Sequence, residues 1–514
     1  LYYYIELPAI NIHESGFWFF LVAVIGIIVV VYAIRKRLYG TIQLKQSKGI
    51  KAGVILMLVI IAVYAVGSLL SSPIINAKKY QNLVTPEERD LTEDIQEISF
   101  NQIPLLDKDS AVLLGNRKMG SMVDMVSQFE VSDLYSQINY QGQPYRVTPL
   151  VYANAIKWLT NQKDGIPAYI RIDMATQNTE LVKLEDGIKY SESELLNRNI
   201  YRHLRFRYPT YMFDQLSFEI NDDGVPYWIC PVKKFNIGLF GGQTIGKVVL
   251  CNAITGETEE YKIKDCPQWV DRAYPADLLI DLYNYHGTLK NGFFNSVLGQ
   301  KGCLKTTDGY NYLALEDDVW VYTGITSVSG DRSNVGFVLM NQRTMETRYY
   351  SCAGAEEYSA MESAEGQVQN LKYTAAFPLL LNISNEPTYF MALKDGAGLV
   401  KKYAMVNIQK YQNVAIGDTV SECEKAYVKL LASNGITSTD EKSTGTNEIS
   451  GKIKRIGQAV IDGNSHFYLA LEENDEVYDV PVVDYPEIVT YDVGDEITLE
   501  YSEDSPANVV LGIK

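Results

Sequence analysis

The sequence has little of what metal or nucleophile chemistry requires. Its four histidines, His13, His203, His286 and His466, stand too far apart for a metal-ligand pair, and no HExxH occurs. Each reads as a structural or surface residue. Six cysteines (Cys230, Cys251, Cys266, Cys303, Cys352 and Cys423) include no CxxC, which excludes a zinc ribbon or a dithiol redox motif. Six thiols allow about fifteen disulfide pairings in an oxidising compartment. Buried free thiols are the other reading, since Cys230 and Cys251 lie in apolar strands. No GxSxG and no carboxylate pair stands out. The glycine-rich stretch 238–246 (GLFGGQTIG) lacks the lysine and hydroxyl of a phosphate loop and lies between strands, so it reads as a hairpin turn. Asn221–Gly224 and Glu316–Asp318 are acidic turns without the spacing of a calcium loop. Asn382-Ile383-Ser384 is a glycosylation sequon, a pattern too common to carry weight. No catalytic residue, cofactor or metal ligand is expected.

Positive charge is outnumbered by negative beyond the first 76 residues. The net charge is −17, and residues 1–76 hold six Lys/Arg against two Glu, leaving about −21 for the rest. Such a surface repels phosphate backbones and excludes general nucleic-acid binding. It also opposes lying flat on an anionic membrane. Apolar content of 46% with 21% charged residues excludes disorder, and 514 residues are too many for one core. The 37 tyrosines favour half-buried β structure.

Two uncharged apolar runs, 17–34 and 52–76, are each long enough for a transmembrane helix. Phe17, Trp18, Phe19 and Phe20 at one end of the first, with Tyr32 and Tyr39 near the other, look like interfacial belts. The connecting segment carries Arg35, Lys36, Arg37, Lys45, Lys48 and Lys51 and no acid, whereas the outer flanks are acidic. Positive loops stay in the cytoplasm, so residues 77–514 are expected outside. The first sixteen residues (LYYYIELPAINIHESG) read as an outside stub, arriving from an upstream transmembrane helix or following a cleaved signal peptide.

Beyond the membrane the chain repeats itself. Asp173-x-x-Thr176-x-x-Thr179-x-x-Val182, Asn252-x-x-Thr255-x-x-Thr258-x-x-Tyr261 and Asn341-x-x-Thr344-x-x-Thr347-x-x-Tyr350 each follow an apolar strand (168–172, 247–250 and 335–340) and precede a helix candidate (191–205, 270–285 and 355–368). An Asn or Asp side chain bonds backbone N–H groups just downstream, and threonine favours the returning strand. A fourth, degenerate copy runs from Pro387 to a helix at 420–432 and lacks the threonines. These hairpin-and-helix units resemble PepSY-type domains over 170–184, 248–263 and 336–350. The resemblance implies extracytoplasmic binding or inhibitory modules without catalysis. The whole chain also resembles uncharacterised membrane-anchored proteins of Gram-positive bacteria, which implies no particular activity.

The expected fold class is a membrane-anchored α+β protein with two transmembrane helices, serial PepSY-like modules and a small C-terminal β-barrel. The stub (1–16), transmembrane helix (17–34), cytoplasmic basic loop (35–51) and second transmembrane helix (52–76) lead to a stalk and helical region (77–135). Four α+β modules follow (136–210, 211–290, 291–375 and the degenerate 376–433), then a polar linker (434–447) and five strands in 448–514 that resemble an OB- or SH3-like barrel. Within 77–135, residues 77–100 read as a helical stalk and a helix capped at Asp109 or Ser110 follows; at the start of the first module, residues 138–150 read as a hairpin turning at Gln141–Pro144. Arg202, Arg205 and Arg207, beside His203, form a basic patch that would grip an acidic partner or pair with nearby carboxylates. The function expected is that of a cell-envelope interaction or structural protein that is held by the lipid bilayer and binds a protein partner or itself. The rivals are an accessory subunit of a transporter or sensor, and an envelope enzyme with an active site between modules.

Overall fold

The computed structural model describes residues 2–38, 47–95, 104, 106–328, 333–436, 447–461, 464–472, 474, 476–482, 485–502 and 507–514. They form two compact units, Leu1–Tyr427 and Val428–Lys514. Lys45, Tyr39, residues 96–100 of the expected stalk and most of the expected linker lie outside the described residues.

The first unit opens with a short helix, Tyr2–Glu6, followed by two helices long and apolar enough to cross a membrane, Ser15–Leu38 and Lys48–Ser71. Only 0% and 6% of their apolar windows are buried, whereas the core helix of a water-soluble protein would be covered on most sides. The pair runs antiparallel. Trp18 and Phe19 meet Tyr64 at one end, while Val29 faces Gly53 and Tyr32 faces Gly49 toward the other. A side chain at Gly53 would overlap Val29, so the glycine is what lets the helices approach. The second apolar run reaches residue 76 in sequence, but its helix stops at Ser71. Ser72 is extended and Pro73 opens a separate short helix, Pro73–Gln81, at the position where its missing N–H costs nothing.

Among the described residues the expected stalk is helical only over 77–81, within Pro73–Gln81, and over Leu91–Asp94. Glu87–Arg89 instead forms a strand pairing in parallel with Thr347–Ala355, in the register Glu87 to Arg348. Two interactions hold it there. Arg348 reaches Glu316 and Asp94, and the Tyr350 hydroxyl donates to Asp94 at 2.7 Å. The next helix, Lys108–Gly120, is capped by Asp107, whose carboxylate accepts from Ser110 N, two and three residues earlier than the expected caps.

Four antiparallel sheets then follow in series, the third receiving Glu87–Arg89 as an added parallel edge. Their central strand pairs are Gln143–Tyr152 with Ile166–Asp173, Pro226–Ile237 with Gly241–Asn252, Asp318–Ser327 with Ser333–Asn341, and Glu386–Lys394 with Val400–Asn407. The expected hairpin at 138–150 forms with Gln141 and Gly142 as its two-residue turn, both at positive φ.

The repeated motif is one turn built three times. Asp173 Oδ1 accepts from Ala175 N and Thr176 N, and the Thr176 hydroxyl accepts from Asn178 N. Asn252 and Thr255 do the same for Ile254, Thr255 and Glu257, and Asn341 with Thr344 for Arg343, Thr344 and Glu346. The residue after the first threonine is left-handed in all three (Gln177, Gly256 and Met345). The degenerate copy uses a shorter turn, where Asp395 accepts from Ala397 N and Leu399 N, as Asn221 does from Asp223 N and Val225 N.

The helix after each returning strand packs on the sheet of the following unit. Ile200–Arg207 buries Ile200 and Leu204 with Trp228, Cys230 and Val249 of the second sheet. Ala276–Thr288 packs between the second and third, burying Leu279 and Leu282 with Val248, Val321 and Val338. Glu357–Gln367 lies on the fourth. Adjacent units therefore share cores, and burying Trp228 and Trp320 completely contributes roughly 3 kcal/mol or more each.

In the second unit, Asn447–Ile461, Asn464–Leu471, Val477–Pro481, Glu496–Ser502 and Asn508–Ile513 close into a barrel whose third and fifth strands pair in parallel. Ile453, Leu469, Val480, Leu499 and Val510 fill it.

Candidate functional site

The tip of the longest hairpin, Gly238–Gly242, is seated against the end of the second apolar helix. The Ser71 hydroxyl accepts from Leu239 N at 2.9 Å and Phe240 N at 3.2 Å while donating to Gly67 O. The Ser71 carbonyl accepts from the Tyr80 hydroxyl at 2.7 Å, and His13 Nδ1 donates to Leu239 O at 2.7 Å. Phe240 packs on Trp18 and Tyr64, and Leu239 and Phe240 lie over Gly67. Gly238 has φ +60°, and a Cβ there would overlap Ser71 Oγ. The glycines thus allow a tight turn to approach a helix end, and the stretch is the hairpin turn that the sequence implies. The module body is clamped to one end of the helix pair.

A second feature is a cleft of about 640 Å³ where all four sheets' units meet. Arg146 forms part of its wall and is 5% exposed. It donates only to neutral acceptors, Leu106 O at 3.2 Å and Gln137 Oε1 at 3.5 Å, and makes no ion pair among the described residues. Burial pushes its pKa down, yet a guanidinium keeps its charge. Arg272, opposite, bonds Gln215 Oε1 at 2.8 Å and leaves its Nε without a partner. Lys394 reaches the cleft paired with Asp107. A buried guanidinium without a direct ion pair, in a cleft that a second arginine also lines, attracts an anionic group.

Directly behind Ser217 and Arg272 lies a buried carboxyl pair. Glu219 accepts from Asp271 N at 2.9 Å, Arg272 N at 3.1 Å and Ser217 Oγ at 3.1 Å. Asp271 accepts from Asn139 N at 2.7 Å, and its other oxygen has no partner. Burial pushes Glu219 up to about 7, against the hydrogen bonds that lower it. Burial and then the Glu219 charge push Asp271 well above the carboxylate range. The pair keeps a proton near neutral pH.

The basic patch turns inward. Arg205 donates to Leu7 O at 2.8 Å and to Tyr211 O, and Arg202 donates to Tyr4 O at 3.4 Å with its guanidinium over the Tyr4 ring. Two of its three arginines therefore strap the N-terminal segment onto the second module through backbone carbonyls, where the sequence pointed to carboxylates or an acidic partner. Arg207 is exposed. Each histidine is a clasp: His13 as above, His203 on Gly256 O, His286 on Gln81 O and His466 on Asp479. All six cysteines are buried free thiols. Glu316 and Asp318 are engaged by Arg348 and Arg343, and Asn382 is 3% exposed with its amide on Ile95 O. Among the described residues no group of three His, Cys, Asp or Glu could hold a metal.

Neither the cleft nor the carboxyl pair is visible in the sequence, because their parts come from separate units. The only local signal is a lone Glu in the apolar strand Ser217–Ile220. No protein-family model matches the chain, and no curated protein matches it.

Proposed function

We propose that this is a membrane-anchored envelope protein whose body stands outside the cytoplasm and binds a protein partner or a second copy of itself without catalysis. The observation that carries the reading is the clamp at Ser71: both apolar helices meet the body at one end, and Arg35, Lys36 and Arg37, in the last turn of the first helix, lie at the other. Positive charge held on the cytoplasmic side puts the body on the opposite side. Such a clamp fixes the body's tilt and height, as suits an interaction surface presented to neighbours. The serial helix-covered sheets support the PepSY-type resemblance, and the barrel's strand order, with its parallel third and fifth strands, favours the OB type over the SH3 type.

The cleft favours a second reading, an envelope enzyme. Against it, the lining holds no histidine or cysteine, and its Ser217 hydroxyl is committed to Glu219. Arg146 and Arg272 fit the anionic side chain of a bound peptide better than they fit acid–base work. Protease added to sealed cells tests the anchoring. Digestion of the body with survival of the helix pair is expected, and an intact body would overturn the topology. Crosslinking in intact membranes tests the interaction, and recovery of uncrosslinked monomer alone counts against it.

A further inference from the structure

After the helix Ala276–Thr288 the chain makes a loop built inside out. Phe294, Val297 and Leu298 are 69%, 56% and 80% exposed. The half-buried Asn295 and Ser296, with Asn291, turn their side chains to the loop's own backbone instead. Asn291 and Asn295 both donate to Lys301 O, at 2.9 and 3.1 Å, Asn295 Oδ1 accepts from Lys301 N, and Ser296 Oγ donates to Phe293 O. A loop made for water would reverse this arrangement. The side-chain bonds across its neck hold the three apolar groups on a fixed knob.

The knob's position says what covers it. Leu289 and Phe293, at its base, share a core with Ala77, Tyr80 and Ile237. Tyr80 stacks edge-on against Tyr285 and donates to the carbonyl of Ser71, the last residue of the second apolar helix. His286 bonds Gln81 O at the far end of the short helix Pro73–Gln81, and Ala77 joins Leu289 and Phe293, so the chain after His286 runs back toward the apolar helix. Ile74 and Ile75, just past that helix, are exposed as well. Exposed Lys78, Lys79, Lys290 and Lys301 flank these groups, a local cationic fringe on an otherwise acidic protein. Apolar groups ringed by lysine suit the acyl–headgroup boundary of a bilayer.

We propose that the loop 293–302 is a third membrane contact, with Phe294, Val297 and Leu298 entering the interfacial layer of the bilayer that the two apolar helices span. The inference rests on the membrane-anchored reading and adds to it a lipid-binding surface on the module body. With the Ser71 clamp, the knob gives the body two separated footholds and resists tilting about the helix axis.

The test places a polarity-sensitive fluorophore on Leu298→Cys in the full chain, with a parallel label on Ile28→Cys in the first apolar helix. Both sites are exposed and the six native thiols are buried, so labelling is selective. The protein is reconstituted in vesicles of phosphatidylethanolamine and phosphatidylglycerol carrying a nitroxide high on the acyl chain. Blue-shifted emission at position 298, quenched several-fold more by the nitroxide lipid than by aqueous iodide, is the expected result. Water-like emission at 298 with lipid quenching at 28 overturns the knob and leaves the anchor standing. Blue-shifted emission at 298 without lipid quenching means that protein covers the site, and also overturns it. Loss of lipid quenching at both sites overturns the anchor and the knob together.

Discussion

Replacing Glu219 with glutamine should change how stability depends on pH as well as stability itself. The carboxyl is fully buried, and burial pushes it to about 7 from an ordinary 4.5. In the unfolded chain it titrates near the ordinary value. A folded value above the unfolded one means that the folded protein holds an extra proton between them. The stabilisation is therefore complete below about pH 4.5, falls as pH rises toward 7, and is gone above that. At about 1.4 kcal/mol per pH unit the interval is worth roughly 3 kcal/mol, with no discount for solvent because the group has no exposed surface. Glutamine cannot titrate. It keeps an oxygen for Arg272 N and Ser217 Oγ but turns an amide toward Asp271 N, so its absolute stability drops at acidic pH. The diagnostic is the difference in urea unfolding between wild type and E219Q at pH 5 and pH 8, read from the emission of the buried Trp228 and Trp320 in detergent. Wild type should lose roughly 2 kcal/mol or slightly more of its advantage over that span, since part of the stabilisation is already gone at pH 5. A difference independent of pH, or one that grows with pH, refutes the buried neutral carboxyl.

Gly238→Ala should dislodge the hairpin tip, because φ is +60° and the new methyl meets Ser71 Oγ. A loss of about 1–2 kcal/mol, with faster proteolysis at 238–242, is expected. Asn252→Ala removes two turn hydrogen bonds and should cost about 1–2 kcal/mol in urea midpoint, whereas Asn252→Asp should be nearly neutral, since Asp173 fills the same place in the first copy. In Arg146→Met, stabilisation by added glutamate-rich peptide in thermal melts should vanish if the cleft receives carboxylates. Thiol titration at pH 8 should find no fast-reacting cysteine in the native protein and six after denaturation, with or without reductant. Burial pushes Cys251, Cys266 and Cys423 to about 12 and Cys352 to about 11.

What could be read in the sequence was local. The helices Ser15–Leu38 and Lys48–Ser71 announce themselves by unbroken apolar runs, and the three Asn/Asp-x-x-Thr turns by side chains that bond their own backbone within five residues. The hairpin at Gln141-Gly142 and the barrel strands follow from alternation and glycine. What escaped reading was long-range. Glu87–Arg89 looks like solvated stalk because its acids give no hint of a pairing strand, and its stabilising partners are Arg348 and Tyr350. Arg202 and Arg205 look available for a partner because the carbonyls of Tyr4 and Leu7 leave no trace in side-chain composition. The carboxyl pair joins residues 52 apart in sequence, and the cleft draws on every unit.

The parallel edge strand sets an order on the molecule's assembly. Asp94, just beyond Glu87–Arg89, finds its tyrosine 256 residues downstream, so a growing chain must hold this segment unmatched until three of the four sheets have been synthesised. Truncations made at sheet boundaries before Thr347 would leave a bare sticky edge. Only a first unit extended through Thr347–Ala355 can close this ring of contacts, which ties residues 87–94 to a strand some 250 residues further along the chain.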